Sequence, residues 1–144
     1  MPRKTTKKPR VAKTRGAGTL TEAAFWSMIR STLRNKSRFW PPIKLCKQLV
    51  RRKYIGPRRL QKWEYQCGQC KNWFPEKNIN VDHITPAGQL RSANDLPQFV
   101  ETLFCEIDNL QVLCSDCHDS KTKREKNEQY NSGYRRESGL QKEV

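Results

Sequence analysis

The chain has 144 residues, of which 35% are hydrophobic and 30% charged; its mean hydropathy is −0.94 and its net charge +15. Much of such a chain cannot bury enough apolar surface to offset its ordering entropy, so the composition predicts one small domain with polar arms. No apolar run approaches the roughly 18 residues of a bilayer span and no signal-like apolar stretch opens the sequence, which predicts a cytoplasmic protein with no membrane partner and a polyanion, nucleic acid first, as ligand.

The charge is unevenly placed. Residues 1–18 hold seven basic residues and no acid, the first 60 residues sum to +17, residues 61–118 to −4, and the remainder to +2. Phosphate neutralisation is therefore assigned to the first 60 residues, and the acidic middle is where a divalent cation would sit. Residues 1–18 are read as an arm, disordered when free, that grips phosphates or serves as a solubilising tail.

Residues 19–60 are read as a basic helical segment. Thr19 and Glu22 stand at capping-box spacing, and Phe25, Ile29 and Leu33 then mark one apolar stripe of a helix of about four turns. Pro41 and Pro42 end one element and can start another, in which Ile43, Cys46, Leu49 and Val50 recur at helical period while Lys44, Lys47, Arg51, Arg52 and Lys53 mostly face away. Such helices either contact DNA or pack on a core with their charges solvated. Gly56 and Pro57 mark a boundary before the middle segment.

Four of the six cysteines form two CxxC pairs, Cys67–Cys70 and Cys114–Cys117, separated by 43 residues. Two residues between cysteines let both sulfurs of a tight turn face one cation, so two such turns predict a tetrahedral four-thiolate zinc site, which staples a module with few core positions. Cys46 and Cys105 lie among apolar residues and are read as buried thiols. The aromatic set Trp63, Tyr65, Trp73 and Phe74 around the first CxxC packs over the zinc site or stacks bases.

Both histidines of the chain fall in this frame. His83 follows Asp82 at the end of NINVDHITP, whose alternating Ile79 and Val81 predict a strand, and His118 follows Cys117, between a strand at Leu110–Leu113 and a helix. The intervening SANDLPQFVETLFC predicts an extra helix with Phe99, Leu103 and Phe104 inward. Spacing alone predicts a zinc-stapled hairpin and helix with a second metal site.

The Asp82-His83 pair, the NLQVLC stretch from Asn109, the nine-residue step to His118 and the CHxxKT ending resemble the signature of HNH endonucleases, in the subgroup stapled by two CxxC pairs. The resemblance covers about residues 63–126. It implies an α+β fold in which a small ββα-metal module, residues 61–130, follows the basic segment and precedes a flexible tail at 131–144. It further implies a metal-dependent endonuclease acting on double-stranded DNA, by nicking or double-strand cleavage. His83 would be the general base, Asp82 and His118 would hold a catalytic Mg²⁺ or Mn²⁺, and Asn109 would bond the backbone of the hairpin loop and so orient His83. Thr122 stands where some relatives carry another ligand. Arg51, Arg52, Lys53, Arg58, Arg59, Lys121 and Arg124 are the candidate DNA contacts. Free-standing members with basic arms occur in phages and mobile elements, so host cytoplasm and phage replication or packaging proteins are the implied setting. The competing reading is a catalytically silent zinc ribbon that binds nucleic acid or serves as an adaptor.

Overall fold

The computed structural model describes residues 8–139, with side-chain surroundings through residue 132, so the expectations for residues 1–7 and 140–144 fall outside the described residues. The fold is α+β. It divides into two compact units that do not follow the linear segments expected above: one comprises residues through Trp40 together with Pro86–Phe104, the other Pro41–Thr85 together with residues from Cys105 onward.

In the first unit, β1 (Lys13–Arg15) pairs antiparallel with β2 (Leu20–Thr21), so this part of the expected disordered arm is a hairpin. Its turn passes through three left-handed residues, Gly16, Ala17 and Gly18, at φ 59°, 56° and 77°. Glycine visits this region freely, whereas Ala17 pays a small strain there. Thr19 belongs to the turn, its hydroxyl donating to the Gly16 carbonyl at 2.6 Å, and it is Thr21 that caps α1 (Glu22–Ser37) by accepting the Ala24 N–H at 3.1 Å. The expected box from Thr19 to Glu22 is thereby corrected. Glu22 instead accepts Arg15 at 2.8 and 3.0 Å and the Trp26 indole N–H at 2.9 Å.

The stripe of Phe25, Ile29 and Leu33 packs on buried Trp26, Ala87, Leu90, Phe99 and Leu103. Phe99 and Leu103 come from α3 (Leu96–Leu103), the extra helix expected in the long insertion, and Phe104 packs on the same core. The turn before it is pinned by the Asp95 carboxylate, which accepts the Arg91 N–H at 3.0 Å.

The second unit begins with α2 (Pro41–Leu49), where Pro occupies the first helical positions without losing a needed donor. Residues 51–53 do not continue it. They form β3 (Arg51–Lys53), paired antiparallel with β4 (Trp63–Gln66), which pairs in turn with β5 (Trp73–Phe74). Ladder bonds to β4 outweigh helical propensity here, and Gly56 and Pro57 lie in the connecting hairpin loop rather than at a domain boundary. Leu49, expected inward, is 68% exposed because the helix ends there. Cys46 packs with Tyr65, Ile79, Leu110 and Val112, with Cys105 at the edge of this core.

A second antiparallel pair joins β6 (Ile79–His83) to β7 (Leu110–Cys114), with Val81 opposite Val112, Asp82 opposite Gln111 and His83 opposite Leu110. From β7 the chain enters α4 (Ser115–Gly139) directly, so the second CxxC forms the first helical turn. The helix continues through residues 131–139, where a flexible tail was expected. No described helix is long and apolar enough to cross a membrane.

Candidate metal centre and active site

Two knuckles built from different strands bring the four cysteines together. After β4, the Cys67 N–H donates to the Asn72 carbonyl at 2.9 Å and the Lys71 N–H to the Cys67 carbonyl at 3.1 Å, with Lys71 in the left-handed region at φ 63°. The Gly68 N–H reaches the Val112 carbonyl on β7 at 2.7 Å; a Cβ there would lie 3.2 Å from that oxygen, so glycine permits the close approach. Backbone N–H groups point at sulfur in both turns, Gln69 to Cys67 at 3.4 Å and Cys117 to Cys114 at 3.5 Å.

The sulfurs of Cys67, Cys70, Cys114 and Cys117 all lie within 4.8 Å of one another, with Cys70 and Cys114 4.0 Å apart. A tetrahedron with zinc–sulfur bonds of about 2.3 Å has edges of about 3.8 Å, so these four can hold a metal ion such as zinc. The thiols compete for protons. Burial penalises the Cys67 thiolate, but N–H donors from Cys114, Cys70 and Gln69 outweigh it and hold its pKa down to about 6, whereas hydrogen bonding to Cys114 pushes Cys117 up to about 12. These four cysteines would hold a cation as thiolates, which would remove that competition.

The second cluster sits where α4 meets β6. Asp82 Oδ1 lies 3.8 Å from His118 Nε2, while Oδ2 accepts Lys121 Nζ at 2.9 Å and Gln111 Nε2 at 3.3 Å. Lys121 also donates to the His83 carbonyl at 3.0 Å and pairs with Glu125. Burial opposes its charge, but bonds to Glu125 and Asp82 prevail and raise its pKa. Lys121, expected at a DNA phosphate, is thus an internal ion-pair partner, and the Thr122 hydroxyl is taken by the His118 carbonyl at 3.0 Å. Half-buried His83 follows Asp82 on β6, and strand alternation directs consecutive side chains to opposite faces.

Asn109 locks the end of this hairpin. Its side chain accepts the Thr85 N–H at 2.8 Å and donates to the Thr85 carbonyl at 3.1 Å, while its own carbonyl accepts the Ile84 N–H at 2.9 Å. Three bonds therefore fix the two residues that follow His83.

The other cationic candidates divide. Arg51 lies over the Trp63 ring at 4.0 Å; Arg52 lies over Trp73 at 3.8 Å and pairs with Glu64 at 2.6 Å. Lys53, Arg58 and Arg59 are exposed, and exposed Arg124 lines a cleft of about 360 Å³ with Gln69, Gln111 and Lys121. Of the aromatic set, Tyr65 and Phe74 pack inward, while Trp63 and Trp73 carry arginines.

Gln111 and Glu125 escape a reading of the sequence by motif. The first is legible only once Asp82 is placed in register with it, and the second through its i+4 spacing from Lys121. Comparison with family models, curated proteins and solved structures gave no match.

Proposed function

We propose that this chain is a metal-dependent endonuclease of HNH type that hydrolyses DNA phosphodiester bonds, its β6–β7 hairpin and α4 serving as a ββα-metal module. The observation that carries the reading is the approach of Asp82 Oδ1 and His118 Nε2 to 3.8 Å, with His83 the next residue of the strand that carries Asp82. Adjacent ligands at about 2.1 Å from one octahedral ion lie about 3.0 Å apart, so a side-chain shift of about 0.8 Å would bring both atoms onto one small cation.

Asp82 and His118 would hold Mg²⁺ or Mn²⁺, which supplies charge neutralisation at the scissile phosphate and the departing 3′ oxygen. His83 accepts a proton from the attacking water at an imidazole nitrogen, the part a neutral imidazole plays as a general base. Asn109 is a positioning residue that acts through Thr85 and Ile84. Lys121 binds Oδ2 of Asp82 and leaves Oδ1 toward His118, which orients the carboxylate. The basic character of the first 60 residues supports DNA as the substrate, and a free-standing nuclease of a phage or mobile element fits that combination.

One observation favours a silent zinc-built binding module instead: the Lys121 ammonium already neutralises Asp82. Supercoiled plasmid incubated with zinc-loaded protein and Mg²⁺ or Mn²⁺ separates the readings. Nicked circles from the parent, and few or none from Asp82→Asn or His118→Ala at equal zinc content, support hydrolysis. Intact plasmid with retained DNA binding supports the silent module.

A further inference from the structure

The β3–β4 hairpin carries an apolar tip inside a cationic frame. Beyond the Tyr54 N–H bond to the Lys62 carbonyl at 3.0 Å, Ile55 is 94% and Leu60 95% exposed, and no other large apolar side chain among the described residues exceeds 76%. Lys53, Arg58, Arg59 and Lys62 flank them, no acid occurs from residue 53 to 62, and these four make no ion pair among the described residues.

The tip is held in shape. The Tyr54 ring lies over Gly56, where a Cβ would collide with the Tyr54 hydroxyl; the Gln61 N–H donates to the Arg58 carbonyl at 3.1 Å, and the Gln61 side chain to the Trp63 carbonyl at 3.2 Å. At the base, the two stacked arginines stiffen the strands. Two aliphatic side chains held in water by an ordered loop, with uncompensated cations on both sides, match a ligand that is apolar between its layers and anionic along its edges. Stacked base pairs bordered by phosphates have that pattern.

We propose that this hairpin is a wedge for duplex DNA, with Ile55 and Leu60 entering a base step from the minor groove while Arg58 and Arg59 neutralise the flanking phosphates. The inference rests on the DNA reading above but needs no hydrolysis. It is tested with the zinc-loaded full chain and no added Mg²⁺, by relaxing closed circular plasmid with a type I topoisomerase and by measuring duplex affinity across salt concentrations. The parent unwinds the plasmid, read as a lowered linking number. Ile55→Ser with Leu60→Ser abolishes the unwinding and weakens affinity on the order of tenfold at an unchanged salt slope. Arg58→Gln with Arg59→Gln keeps the unwinding at saturation and lowers the slope by about 2. A parent that leaves the linking number unchanged, or a serine variant that unwinds and binds as the parent does, overturns the wedge. Unwinding without nicking in Mg²⁺ retains the wedge and discards the hydrolase; nicking without unwinding does the reverse.

Discussion

Asp82 is asked to serve two cations. Lys121 holds one carboxylate oxygen at 2.9 Å, and His118 lies 3.8 Å from the other. A fixed positive charge this close raises the cost of bringing in a divalent ion, although partial exposure to water moderates the effect. Lys121→Met should therefore tighten Mn²⁺ binding at Asp82 and His118 by about tenfold, read by electron paramagnetic resonance on zinc-loaded protein. Unchanged or weaker binding would show that the ammonium orients the carboxylate more than it competes for it. Asn109 gives a complementary test. Asn109→Ala removes both side-chain bonds to Thr85 and should cost about 1–2 kcal/mol in urea unfolding. Because Asn109 is remote from the ion ligands in role, nicking should fall while Mn²⁺ affinity stays within about twofold; equal losses in both would make it part of the ion site.

At the scale of elements, α1 depends on a short hairpin that composition does not reveal. Hydrogen bonding from Arg15, and then from Trp26, depresses the Glu22 pKa from 4.5 to about 2. A depressed carboxyl stabilises the fold above its unfolded pKa, and that contribution is lost as pH falls from about 4.5 toward 2. Glu22→Gln should thus flatten this part of the acid profile of α1, followed by amide exchange, and an unaltered profile would remove the Arg15 link. What was legible follows the same logic of local against distant causes. The strand at Ile79–His83, the strand before the second CxxC, both early helices and α3 were readable because alternation, proline and apolar period are local signals. Arg51–Lys53 reads as helix from its local pattern because its strand exists only through pairing with Trp63–Gln66, a partner ten or more residues away. The cysteine cluster was legible from spacing alone, whereas the Lys121 bond to Asp82 requires the register of α4 on β6.

For the whole molecule, two compact units share one chain, and the chain crosses between them three times. Phe99, 1% exposed, anchors one, and Phe99→Ala should cost about 3–5 kcal/mol in urea unfolding. The other depends on the cysteine centre, whose thiols must ionise to bind zinc. Zinc affinity should therefore fall as pH falls, and chelation should unfold the β6–β7 hairpin together with α4. On the proposal above, the cysteine-clamped unit presents His83 as the base beside an ion held by Asp82 and His118. The most direct measurement is the single-turnover nicking rate of supercoiled plasmid in Mg²⁺ by zinc-loaded parent and His83→Ala at equal zinc content. A loss of about 10²–10⁴-fold with DNA affinity retained is expected; equal rates in the two proteins would contradict the assignment of His83 as the base.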